Sequence, residues 1–276
     1  MTITELKRRI EHFVTHSENN MISEEYALRP ELKGIPFYDT PIIGIASADD
    51  EIFEKFKNDK TIFGPMLILP EEWLSGAKSV ISFFLPFTEK IRKSNEHDLN
   101  TTSDEWLHAR IEGQAFLIEL CREIVSWLKK EGFNAIIPSA HQNFRYNKDP
   151  QRKDRNEPVF ISNWSERHAA FAAGLGTFGL SKHIITEKGV CGRFGSVITD
   201  APFTPTERPY SKPYEYCTFC GACAKRCPVD AISVKNGKDM MLCSDFIEKT
   251  MVRYAPRYGC GKCQLCVPCS TCIPQK

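Results

Sequence analysis

Apolar residues recur at Ile3, Leu6, Ile10, Phe13 and Val14, a three-to-four spacing that predicts an amphipathic helix with one inward face. From Ala77 to Leu85 the chain reads AKSVISFFL and then meets Pro86. A short apolar run rich in β-branched and aromatic residues predicts a buried strand. A longer helical stripe follows at Leu107, Ile111, Ile118, Cys121, Val125 and Leu128, opened by a Thr102–Glu105 capping pair and closed by Gly132. Cys121 lies on that stripe and reads as a core thiol. Phe133 to Ile137 predicts another strand, and Asn163 or Ser165 through Ala173 another helix. Lys182 to Asp200 predicts a hairpin turning near Lys188, Gly189 and Gly192.

Between these elements, 143–157 (NFRYNKDPQRKDRNE) is charged and poor in aliphatic residues, which predicts a surface loop where function can reside. Pro202, Pro205, Pro209 and Pro213 stiffen the stretch from Ala201 to Tyr214 and mark the expected boundary between a larger domain, 1–205, and a small one, 206–276. With 276 residues, 42% hydrophobic residues and a formal net charge of +1, the chain fits a globular protein of two unequal domains. The near-zero charge argues against binding driven by phosphate neutralisation. No apolar stretch approaches the roughly 20 residues of a membrane helix and the N-terminus lacks a signal-peptide core, so a soluble cytoplasmic protein with no membrane partner is expected.

Cysteine changes this picture, because ten of the twelve lie between Cys217 and Cys272 and only Cys121 and Cys191 lie outside. In a reducing compartment such density points to metal rather than disulfides. Cys217, Cys220, Cys223 and Cys227, followed by Pro228, form a C-x₂-C-x₂-C-x₃-C-P run, the bacterial ferredoxin spacing. Zinc is the alternative, but tetrahedral zinc usually takes two separated cysteine pairs. In the ferredoxin arrangement the first three thiolates bind one cube and the fourth binds a second, so two [4Fe–4S] clusters are expected. Cluster A then takes Cys217, Cys220 and Cys223, and cluster B takes Cys227, Cys260 and Cys263, with Cys243 completing B. For the last ligand of A, Cys266, Cys269 and Cys272 are candidates, and the reach of the chain favours Cys269.

Gly174, Gly176 and Gly179 spell G-x-G-x-x-G. A dinucleotide fingerprint needs a strand before it and a helix after it, whereas here a helical segment precedes and a β-branched one follows. These glycines read instead as a helix terminus and a place where backbone can approach a flat ligand.

The pieces AKSVISFFLP, Glu166-Arg167 ahead of AGLG, Ile198-Thr199-Asp200, and Cys243 within LCSDFIEK before GCGKCQ resemble the epoxyqueuosine reductase and reductive dehalogenase superfamily. That resemblance implies an α+β chain: a sandwich similar to nitroreductases and B12-processing proteins, followed by a ferredoxin-like domain. It also implies a cobalamin held against the clusters, with a flavin as the alternative. The cofactor is expected beside Gly174, Gly176 and Gly179 and the segment from Cys191 to Asp200, including Arg193 and Asp200. The implied activity is reduction of a small organic substrate, with electrons from a carrier such as a ferredoxin or flavodoxin. The second reading is an electron-transfer protein serving a partner enzyme. Two departures bear on chemistry. Phe160 stands six residues before the Glu-Arg pair, where the epoxyqueuosine reductases carry an aspartate that looks like the proton donor. Tyr146 and His168 are then the candidate donors, with His141, Arg145 and Lys148 nearby. Those enzymes also continue into a helical-repeat domain that helps hold transfer RNA, and dehalogenases carry a twin-arginine signal. Neither is present between Met1 and Lys276, so a nucleic-acid partner is not expected.

Overall fold

A computed structural model describes residues 2–148 and 160–275. The expected polar loop therefore falls largely outside the described residues. The chain opens with helix α1 (Ile3–His16) and continues through strand β1 (Ile42–Ser47), α2 (Glu51–Asn58), α3 (Pro70–Trp73), β2 (Ser79–Pro86), α4 (Glu89–Ser94) and α5 (Asp104–Lys130). Then come β3 (Ala135–Ile136), β4 (Tyr146–Lys148), β5 (Phe160–Ser162), α6 (Glu166–Ala172), β6 (Gly176–Phe178), β7 (Ile184–Thr186) and β8 (Gly192–Thr199). The cysteine-rich part adds α7 (Ala222–Lys225), β9 (Ile232–Ser233), β10 (Gly237–Lys238) and α8 (Met240–Arg253).

An antiparallel sheet in the order β1-β2-β8-β3 organises the fold. Strand β2 is buried along its whole length because both faces of the sheet are covered, which is why its sequence is a continuous apolar run. The alternation of side chains still sorts them. Ile81, Phe83 and Leu85 join Leu117, Leu120 and Leu128 of α5 in one core, while Val80 and Ile198 join Phe53, Phe56 and Phe171 in the other. Cys121 is a buried member of the first core, as its place on the stripe predicts.

Three local expectations are corrected. The cap of α5 is Ser103, whose hydroxyl accepts from the Trp106 N–H at 3.2 Å, while Thr102 donates to the Gly259 carbonyl at 2.7 Å. Ser103→Ala is therefore expected to lower stability by about 1 kcal/mol, measured as a urea-midpoint change at constant slope. The predicted strand at Phe133–Ile137 shrinks to Ala135–Ile136. Finally, β7 and β8 do not pair with each other. β8 enters the central sheet between β2 and β3, and β7 folds back on β6. Gly176 permits that closure: at φ +158 it faces the Ile185 carbonyl, which a Cβ atom would overlap.

The proline-rich connector has no helix or strand between Ala201 and Tyr210, yet it is not free. Thr206 exchanges two 2.9 Å hydrogen bonds with Ile45 of β1, Arg208 pairs with Asp50 at 3.0 Å, and the Tyr210 hydroxyl donates to the Phe171 carbonyl at 2.7 Å. The cysteine-bearing tail is strapped to the larger layer as well. Asn95 donates to the Cys260 carbonyl at 2.8 Å, and the Val190 N–H donates to the Cys269 carbonyl at 3.0 Å. Gly261, at φ +74, lies so close over the Trp106 ring that no side chain fits between them.

Candidate metal centre and adjoining cleft

The turn from Tyr214 to Cys217, then α7, and then the Cys227 N–H to Ala224 carbonyl bond at 3.0 Å coil the first cysteine run on itself. Cys217, Cys220, Cys223 and Cys269 line one cavity, closed on another side by Gly179 and Leu180. Burial, followed by the neighbouring thiols, pushes Cys223 up to about 11 and Cys269 up to about 12. Crowded thiols of this kind lose their protons when a metal supplies the compensating charge. Cys227, Cys243 and Cys260 gather around Cys263, the Cys227, Cys243 and Cys263 thiols beside the Lys238 ammonium. The Ala231 N–H also donates to the Cys227 sulfur at 3.2 Å. Each group supplies four thiols, the donor set of a [4Fe–4S] cube. Among the described residues, no three His, Cys, Asp or Glu side chains converge on one point as a single tetrahedral ion requires.

Three other thiols are placed differently. Cys266 is exposed in a left-handed backbone conformation (φ 54), and Cys272 is exposed with its sulfur 3.6 Å from the Pro268 carbonyl. Cys191, only 1% exposed, donates to the Gln264 carbonyl at 2.8 Å and so pins β8 to the tail.

Beside these thiols, positively charged side chains converge on the turn at 181–183. Arg167 of α6 donates to the Lys182 carbonyl at 2.6 Å, Lys238 of β10 donates to the Ser181 carbonyl at 3.3 Å, and Lys182 reaches the Tyr214 hydroxyl at 3.0 Å. The 181–183 turn is thus held by α6 from one side and by the ferredoxin-like hairpin from the other. Burial, then Lys238, Arg167 and Arg193, hold the His183 imidazole well below its ordinary value.

The residues expected to form the site are distributed unevenly about this turn. Tyr146 is 59% exposed on β4, with its hydroxyl in reach of the Arg167 charge. His168 packs against Phe56, Phe63 and Phe178, with Nδ1 2.9 Å from the Ser165 hydroxyl. Burial, reinforced by Arg167 and Lys182, pushes its pKa down to about 3. At that value the ring is neutral at pH 7. Arg193 spends one N–H on the Arg110 carbonyl at 3.0 Å. Asp200 accepts from both the backbone and the side-chain amide of Asn134 at 2.8 Å, at the opposite end of β8 and roughly 20 Å along the strand from Arg193. Gly179 lines the cavity with Cys217, Cys220, Cys223 and Cys269, whereas Gly174 and Gly176 are packed against the carbonyls of Glu207 and Ile185.

Sequence reasoning passed over Glu166. Both of its carboxyl oxygens are sealed from solvent without a hydrogen-bond partner, although Ser196, Ser139 and Trp164 surround them. Burial raises this carboxyl to about 7, and it also raises the Cys121 thiol beneath it. Its position next to Arg167, at the start of α6, was the available signal.

The family of 4Fe–4S binding domains matches residues 210–233. No curated protein matches the chain by sequence. Among solved structures, the epoxyqueuosine reductase of Bacillus subtilis aligns over 98% of this chain and 66% of its own, at 18% identity and a TM-score of 0.52. An epoxyqueuosine reductase solved with a modified tRNA stem loop gives the same coverage, identity and score. A catabolic reductive dehalogenase in complex with 3-bromo-4-hydroxybenzoic acid aligns over 99% of this chain and 37% of its own, at 14% identity and a TM-score of 0.53. This chain thus spans just under two thirds of the length of these two epoxyqueuosine reductases. No helix among the described residues is long and apolar enough to cross a membrane. The thiol-lined centre sits on the fold common to epoxyqueuosine reductases and reductive dehalogenases, and the chain carries a 4Fe–4S binding domain at residues 210–233.

Proposed function

We propose that this chain is an iron–sulfur reductase that carries electrons through two [4Fe–4S] clusters to a cofactor in the adjoining cleft and on to a small organic substrate. The observation that carries the reading is the separation of eight cysteines into two four-thiol groups, one lining a cavity against the 179–181 backbone and the other beside Lys238, which itself bonds to Ser181. Cluster A takes Cys217, Cys220, Cys223 and Cys269, and cluster B takes Cys227, Cys243, Cys260 and Cys263.

The 181–183 turn would suit a cofactor bearing a phosphate, because Arg167, Lys182 and Lys238 bring three cations from α6, the turn itself and β10 to one place. Cobalamin, whose nucleotide tail includes a phosphodiester, is the favoured occupant, and flavin mononucleotide is the alternative. Bound cobalamin would supply a strongly reducing metal centre. The chain's own residues would hold its anionic tail and shield the reduced centre from water. His168, neutral and caged by phenylalanines, serves there as an apolar wall and not as an acid.

Anaerobic purification with cobalt, flavin and iron quantified per chain tests this. The expected result is iron in cluster amounts and, on adding cobalamin under reducing conditions, a spectral shift with a higher Tm. Neither change with cobalamin, but both with flavin mononucleotide, would transfer the cleft to flavin. No response to either would leave the relay reading.

A further inference from the structure

We propose that Lys238 and Lys262 poise cluster B as the higher-potential of the two centres, so that an electron entering at exposed cluster A comes to rest on cluster B. This rests on the two-cluster reading above. In the transfer itself reduced cluster A gives one electron to oxidised cluster B, with no proton moved, and A is reduced again by a low-potential one-electron carrier.

The two thiol groups differ in what surrounds them. Apart from the protein backbone, Cys223 and Cys269 of cluster A meet the charges of other cysteines only. Cys220 is exposed beside Phe219, which is 44% exposed, so a donor can approach this cluster closely. Cluster B lies between two ammonium groups on different elements. Lys238, fixed on β10 by its pairing with Ile232, stands beside Cys263, Cys243 and Cys227 while donating to the Ser181 carbonyl. Lys262, only 2% exposed, stands beside Cys260, with its Nζ donating to the Asn95 backbone carbonyl at 2.8 Å and to Asn95 Oδ1 at 2.7 Å.

Two effects oppose each other here. Burial disfavours the reduced cube, which carries one more negative charge, while a nearby cation favours it. A full charge beside the thiols in a poorly screened site outweighs the burial difference, because Coulomb energy rises as the effective dielectric falls. Cluster net charge, hydrogen bonds to sulfur and exposure are the quantities that set such potentials, and the Ala231 N–H on Cys227 acts in the same direction as the lysines.

The test is an EPR-monitored reductive titration of the anaerobically purified holoprotein, with cluster B identified from its signal in Cys223→Ser. Cluster B is expected to be reduced first. Lys238→Met and Lys262→Met, which keep the apolar stem and remove the charge, are expected to lower the midpoint of B and leave that of A in place, while Lys238→Arg retains it. Reduction of A before B in the wild type would overturn the proposal, as would unmoved midpoints in both Met variants. Loss of iron from both Met variants would make the lysines structural struts and would equally overturn it. Failure of the two-cluster reading shows separately, as a wild-type iron content near that of a single cube.

Discussion

Cys269→Ser is expected to halve the iron of the anaerobically purified protein, from about eight atoms per chain to about four, while Cys266→Ser and Cys272→Ser leave it near eight. The reason is placement. Cys260, Cys263, Cys266, Cys269 and Cys272 recur at every third position, so spacing alone makes all five equivalent. The structure puts Cys269 in the cavity with Cys217, Cys220 and Cys223, and turns Cys266 outward through a left-handed backbone step. Iron and sulfide assays on the three serine variants check this. Cluster loss in Cys266→Ser with full iron in Cys269→Ser would exchange their roles.

Glu166→Gln is expected to raise Tm at pH 8 and to flatten the dependence of Tm on pH. The folded carboxyl titrates at about 7 against 4.5 in the unfolded chain, so between those values the folded state binds more protons. Stability contributed by the protonated acid is full below pH 4.5, falls as pH rises and is lost above 7, a total on the order of 3 kcal/mol. Removing the charge removes the loss. Thermal unfolding of the holoprotein from pH 5.5 to 8.5 checks this: the wild type loses Tm across the range and Glu166→Gln does not. Parallel curves would mean that Glu166 gains a partner once the cleft is filled.

The cysteine run was legible because its chemistry is local: four thiols within eleven residues at the ferredoxin spacing mark iron–sulfur ligation whatever surrounds them. The buried strand at Ser79–Pro86 was legible for a similar reason, since burial on both faces writes itself as an unbroken apolar run. What failed depended on distant partners. Ile184–Thr186 and Gly192–Thr199 flank a glycine turn and look like a hairpin, yet the second strand pairs with β2, far back in the chain. Thr102 and Ser103 are both competent caps, and a carbonyl at Gly259 decides between them by occupying Thr102. His168 carries no mark of the phenylalanines at 56, 63 and 178 that strip its proton.

The strap over residues 259–270 also sets an order in time. Cluster A draws three thiols from one short coil and its fourth from a segment hydrogen-bonded to Val190 and packed, at Gly261, on the Trp106 ring of α5. A cube seated on Cys217, Cys220 and Cys223 therefore meets Cys269 only after α5, β8 and the tail have docked, contacts that are remote in sequence and slow to form. On the ligand assignment proposed above, the fourth thiol of cluster A is accordingly in place only once the chain has folded.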